Sequence, residues 1–215
     1  MNRIVYLLLA ASVLPASQSN AQLLRSLGAK VAVTSASQKF DYAYSPFPGF
    51  RQDKKRRTGV NAAIFAEWLN TPFISIVTQL EYAQRGFTET IAPVASSPGI
   101  AVMDTRDNRV DYLSLPILLK ASLSLGVFSP YVIVGPRLDK YLGYHDNFIV
   151  PNSINEEFTK TLWGGSAGIG LELRTLLPVS LSIEFRYNAD FADSYKDYLL
   201  RVRNDAYDFW LGVAL

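Results

Sequence analysis

Glu184 and Arg186 stand two residues apart between Ile183, Phe185 and Tyr187, and the same weave recurs with Glu172 and Arg174 between Leu171 and Leu173. Residues two apart on a strand share a face, so this spacing collects charges on one side of a sheet and does not set a nucleophile beside a base. The only histidine, His145, lies in Tyr144-His145-Asp146-Asn147. Histidine, aspartate and a nearby serine could attack an ester, but no motif fixes the serine, and the residue reads as a solvated loop histidine. No catalytic residue is assigned. Cysteine is absent, there is no second histidine, and no Asp/Asn-rich stretch has the spacing of a calcium loop, so neither metal nor cofactor is expected. Gly164-Gly165-Ser166-Ala167-Gly168-Ile169-Gly170 lacks the lysine and following helix of a nucleotide loop and reads as close packing within a strand.

The segments holding these charges alternate with a period of two. Val179, Leu181, Ile183, Phe185 and Tyr187 oppose Ser180, Ser182, Glu184, Arg186 and Asn188; Trp163, Ala167, Ile169, Leu171 and Leu173 precede them in the same rhythm, and Tyr207, Phe209, Leu211, Val213 and Leu215 follow. Earlier strands are expected over Leu27 to Ala36, Thr58 to Leu69, Phe73 to Phe87, Arg109 to Lys120 and about Pro130 to Tyr144. Pro116 and Pro136 fall inside two of them and are expected at bulges or kinks. Connections run long, short, long, short, long, short, long, with long loops expected at Gln38–Arg57, Thr88–Asn108, His145–Phe158 and around Asp193 to Asp197. Eight antiparallel strands with both ends on the short-turn side are the pattern of a transmembrane β-barrel.

With 21 Lys and Arg against 19 Asp and Glu, the formal charge of +2 gives no reason to expect a nucleic-acid partner. Arg3, the apolar run Ile4 to Leu14 broken only by Ser12, and the small residues ending at Ala21 read as a signal peptide over 1–21, with the barrel domain over 22–215. No later segment offers 18 uncharged apolar residues, so a membrane-embedded form has to be a closed barrel, in which no strand edge meets lipid. A soluble barrel would show similar alternation. Export and the aromatics near strand ends (Trp68, Tyr82, Trp163, Tyr187, Tyr207) favour the bacterial outer membrane.

In such a barrel Lys30, Glu67, Glu81, Arg85, Lys120, Arg137, Asp139, Glu172, Arg174, Glu184 and Arg186 face the lumen. An eight-stranded interior is filled by its own side chains, so these charges are expected to pair into a nearly balanced plug that leaves no wide pore. Lys54, Lys55, Arg56 and Arg57 in the first long loop read as a solvated tip, or as a contact for the phosphates of lipopolysaccharide.

Asp111-Tyr112-Leu113-Ser114-Leu115-Pro116-Ile117-Leu118-Leu119-Lys120, followed by Ser129-Pro130-Tyr131-Val132-Ile133-Val134-Gly135-Pro136, resembles the YLxxPxLLK … PYxxxGP signature of the PorT-like, outer-membrane β-barrel-domain (porin-family) proteins of Bacteroidetes. Leu80 to Phe87 and Gly165 to Leu173 are similar to two further strands of that family. The resemblance implies an eight-stranded outer-membrane barrel without catalytic motifs, surrounded by outer-membrane lipid and inserted by the barrel-assembly machinery reading the C-terminal strand. Such proteins often end in an aromatic; this chain ends in Leu215. The expectation is a structural or surface-interaction role through extracellular loops, the alternatives being a narrow channel or secretion component as in PorT, and a lipid-modifying enzyme.

Overall fold

The computed structural model describes residues 23–42, 53–69, 71–91, 104–145, 159–174, 179–196 and 200–215. The expected signal peptide and the middles of the first three expected loops lie outside these residues. Strands run over Leu24–Tyr42 (β1), Asp53–Trp68 (β2), Ile74–Ile91 (β3), Asp104–Ser122 (β4), Phe128–His145 (β5), Thr161–Arg174 (β6), Ser180–Asp190 (β7), Tyr195–Lys196 (β8) and Leu200–Ala214 (β9). Each long strand pairs antiparallel with the next, and β9 returns to β1 from Gly28↔Ala214 to Tyr42↔Leu200. The two-residue β8 is attached to β9 alone. Eight long strands therefore form a closed barrel, with no unpaired edge to leave amides in lipid.

Followed from partner to partner, the ladder leaves β1 at Leu27, passes Ala66, Thr78, Ile117, the level of Pro136, Gly165, Ala189 and Asp205, and re-enters β1 at Ser37, ten residues further on. A stagger of this kind is what tilts strands by roughly 35–45° to the barrel axis. At the short-turn end the amides of Leu27 and Leu215 donate to each other's carbonyls at 3.1 and 2.8 Å, which fastens the C-terminal residue to the start of the barrel.

Alternation sorts side chains to the two faces. Val31, Val33, Ile64, Leu80, Ile117, Val134, Ile169, Phe185 and Phe209 point outward and are exposed, as a lipid-facing belt requires. Among the aromatics near strand ends, Trp163 is exposed, while Trp68 is partly buried and donates from Nε1 to Thr78 Oγ1 at 2.8 Å.

Two expectations are corrected. The ladders continue beyond the expected strand ends: β1 reaches Tyr42, β2 begins at Asp53, β3 reaches Ile91, β4 begins at Asp104 and β9 begins at Leu200. The first and second long loops are shortened accordingly. The prolines do not shift the register either: Pro116 pairs with Arg137 and Pro136 with Gly165, and the irregularity between β4 and β5 lies at Asp111/Tyr112. Proline needs only to avoid a ladder N–H, and near Pro136 no pairs form between Pro116↔Arg137 and Leu119↔Val134.

Candidate functional site

The lumen gathers most of the chain's chemistry, because every inward position of eight strands converges on one narrow space. At the short-turn end Lys120 Nζ lies 2.9 Å from Glu67 Oε2 and 2.7 Å from Glu172 Oε2. Ser75 Oγ donates to Glu67 Oε1 at 2.7 Å, and Arg25 approaches the same oxygen at 3.0 Å. Arg174 meets Glu172 at 3.4 Å with its side chain 37% exposed. It is thus a rim residue and not part of the packed interior, being the last residue of β6.

Higher in the barrel Glu184 is the hub. It receives Lys30 at 3.4 Å, the Tyr131 hydroxyl at 3.0 Å and Arg186 Nε at 2.8 Å. Arg186 also donates to Gln79 at 3.1 Å and reaches Glu81 at 3.5 Å. Its guanidinium and the Lys30 ammonium lie over the Trp210 ring, at 5.2 and 5.0 Å from the centroid. Arg85 stands between Glu81 at 3.8 Å and Asp208 at 3.7 Å.

Nearer the outer end Arg137 bonds Asp139 at 2.7 Å and also Asp190, while Ser114 donates to Asp139. Neutral groups complete this level. Asn188 donates to Asp208 at 2.6 Å, and Asn204 to Asp190 at 2.6 Å. The eleven lumen residues expected from the sequence are therefore brought together, apart from Arg174 at the rim.

Two features were not anticipated. Among the described residues the buried set contains the cations Lys30, Arg85, Lys120, Arg137 and Arg186 and nine carboxylates: Glu89, Asp190 and Asp208 join those expected in the lumen, whereas Asp205 is covered by Arg56 on the outer wall and Asp111 lies beside Arg109 and His145. Inside the lumen the buried carboxylates Glu67, Glu81, Glu89, Asp139, Glu184, Asp190 and Asp208 outnumber the five buried cations by two. The surplus acids lie toward the outer end, in the strand extensions where alternation is weak, although Asp208 could have been read from its place opposite Phe209. The second feature is a buried apolar cluster of Val77, Leu118, Tyr131 and Ile133, with Phe65 packed against it. Its signal is the loss of alternation in Leu115 to Leu119 and Tyr131 to Val134, continuous apolar runs that suit strands covered on both faces.

The basic run is corrected too. It lies in β2 and not in a loop, so its members alternate: Arg57 turns inward to Asp107 at 2.8 Å, Arg56 takes the outer face, and Lys55, on the face of Arg57, is exposed near the strand's end. The side chain of Lys54 lies outside the described residues. Arg56 folds along the outer wall, bonding Ser35 Oγ and Asp205 Oδ2 at 3.0 Å each and covering the Tyr207 ring at 4.7 Å. His145 closes β5, 58% exposed at the side chain, with Nε2 3.2 Å from Asp111 Oδ2; among the described residues no serine is bonded to it. The glycine run packs closely, for Gly164 leaves room for Arg137 and Gly170 for the Tyr131 ring.

A family described as outer membrane protein beta-barrel domain matches residues 16–196. The chain belongs to this family. It is a protein of the bacterial outer membrane. Similar solved structures include Neisserial surface protein A (16% identity, TM-score 0.46, covering 87% of this chain and 95% of that one). OprG from Pseudomonas aeruginosa is 9% identical with TM-score 0.48, over 90% and 96%, and Ail of Yersinia pestis 11% identical with TM-score 0.39, over 90% and 99%. A search of curated proteins gives no match.

Proposed function

We propose that this chain is a non-enzymatic outer-membrane barrel that does not transport solutes and acts structurally or through its outer end. The observation that carries this reading is the filling of the lumen: the inward cavity lined by Lys30, Phe65, Glu67, Leu118, Lys120 and Glu184 has a volume of only about 30 Å³, room for roughly two water molecules. With transport set aside, binding falls to the strand extensions and the longer connections at the end opposite the chain termini, a usual place for recognition on a rigid barrel. In this reading residues 1–21 are a cleaved signal peptide and those connections face the cell exterior.

Phosphate groups of lipopolysaccharide are the proposed outer-end contact. Arg56 on β2, with Lys39 and Arg203 paired directly across β1 and β9, forms a basic patch just above the aromatic Tyr207 and Tyr187, and Lys55 is exposed at the same end of β2. Arg203 already meets Asp193 at 3.7 Å and Arg56 meets Asp205 at 3.0 Å, so a phosphate would join these pairs as a further anion held by charge-assisted hydrogen bonds. The YLxxPxLLK … PYxxxGP resemblance supports a second reading, a PorT-like membrane component of a secretion apparatus, in which a partner protein would occupy the same end.

Planar-bilayer recordings of the refolded full chain, with lipopolysaccharide binding by the barrel refolded in detergent, wild type against Arg56→Ala/Lys39→Ala, test the proposal. Silent bilayers and lipopolysaccharide binding weakened in the variant are expected. Stable conductance steps would overturn the non-transport reading, and equal binding by the two forms would overturn the phosphate contact.

A further inference from the structure

We infer that the barrier across the lumen is a thin apolar septum, and that the ion pairs above and below it do not themselves seal the barrel. This rests on the reading of a non-conducting lumen and assigns that property to particular side chains. Phe65, Val77, Leu118, Tyr131 and Ile133 project inward from β2, β3, β4 and β5 at one level and pack together. On the remaining strands the same level is kept by residues with little or no side chain, over which the larger ones extend.

Gly28 of β1 pairs with Phe65, and a Cβ there would lie 2.5 Å from the ring. Gly170 of β6 pairs with Tyr131, whose ring occupies the space a Cβ would take. Gly212 of β9 faces Ser182 of β7, whose Oγ would lie 2.5 Å from a Cβ. The side chains at this level are thus apolar apart from the Ser182 hydroxyl and the edge of Tyr131, whose O–H is taken by Glu184, and the small cavity beside them is lined from above and below by Lys30, Gln79, Glu67 and Lys120. Glycine at these sites is a requirement of close approach, since two aromatic rings reach across strands to fill a circle that eight side chains of ordinary size would crowd.

An ammonium flanks each face. Lys30 Nζ lies 5.6 Å from the Phe65 centroid on the outer side, and Lys120 Nζ lies 4.7 Å from the Tyr131 centroid on the short-turn side. Each is neutralised in place, Lys30 by Glu184 and Lys120 by Glu67 and Glu172. Charged groups lining a narrow lumen offer a passing ion replacement ligands, whereas an apolar constriction offers none and excludes water. The apolar level is therefore where an ion meets the higher barrier, and the flanking lysines, held over aromatic rings, are not what closes it.

Single-channel recording on three forms of the full chain tests this, with the unboiled gel shift confirming that each has folded. The wild type and Lys30→Met/Glu184→Gln, which removes an ion pair but leaves the septum, are expected to stay silent. Phe65→Ala/Leu118→Ala is expected to pass from silent to discrete open levels. If that double variant does not fold, Leu118→Ser, which wets the septum with a smaller loss of volume, is read in the same way. A folded septum variant that stays silent overturns the inference, and so does a conducting Lys30→Met/Glu184→Gln. A conducting wild type instead sinks the sealed-lumen reading, which keeps the two failures distinguishable.

Discussion

The two ends of the lumen solve the same electrostatic problem differently. At the short-turn end two carboxylates, Glu67 and Glu172, share Lys120 and have Arg25 and Arg174 as further partners. At the outer end Asp139, Asp190 and Asp208 have only Arg85 and Arg137 as fully buried cations, and hydrogen bonds from Ser114, Asn204 and Asn188 complete their shells. Burying a charge costs free energy unless it is paired and hydrogen-bonded. The short-turn end meets that cost with countercharge beside the apolar septum, whereas the outer end meets much of it with neutral donors.

The largest expected effect follows from removing a shared cation. Lys120→Met leaves Glu67 and Glu172 facing each other beside apolar residues, and breaking a buried pair in this way costs about 3–5 kcal/mol. Equilibrium urea unfolding of the refolded barrel, followed by tryptophan fluorescence, should show that loss.

An intermediate effect is expected at the outer end. Asn188→Ala removes the donor to Asp208 and the acceptor of the Ser166 hydroxyl bond at 2.6 Å, for about 1–3 kcal/mol in the same assay. If Asn188→Ala costs as much as Lys120→Met, the contrast between the ends fails. The smallest effect is expected on the outer wall, where the Arg56 side chain is 36% exposed. Arg56→Ala should cost no more than about 1 kcal/mol, and the loss should shrink as salt is added.

The lipid-facing wall was legible in the sequence because lipid leaves no freedom there: every second residue of Val31, Ile64, Leu80, Ile117, Ile169 and Phe209's strands must be apolar. The outer strand extensions were not legible for the converse reason. Beyond the apolar belt both faces of Gln38 to Tyr42 or Asp53 to Arg57 can be polar, alternation disappears, and a hydrogen-bonded ladder looks like a loop. That difference placed Arg56 and Arg57 together in a solvated tip, when the ladder sends one out and the other in. In the lumen, period two identifies who points inward, but register decides who meets whom. Glu81 was expected among the pairs, yet its sharing between Arg85 and Arg186 depends on the relative heights of β3 and β7. The septum was hidden by a different ambiguity, since Leu115 to Leu119 is apolar on both faces and alternation cannot reveal which of its leucines turns inward.

The sealed lumen depends on closure of the sheet between β1 and β9, and a disulfide across that seam tests closure most directly. The chain has no cysteine of its own, so Val33→Cys/Phe209→Cys, at directly paired positions, introduces the only two thiols. Closure predicts that the pair cross-links in isolated outer membranes under mild oxidation as readily as Ile64→Cys/Leu80→Cys, across the adjacent β2–β3 ladder. A seam pair that stays reduced while the β2–β3 pair oxidises would contradict it.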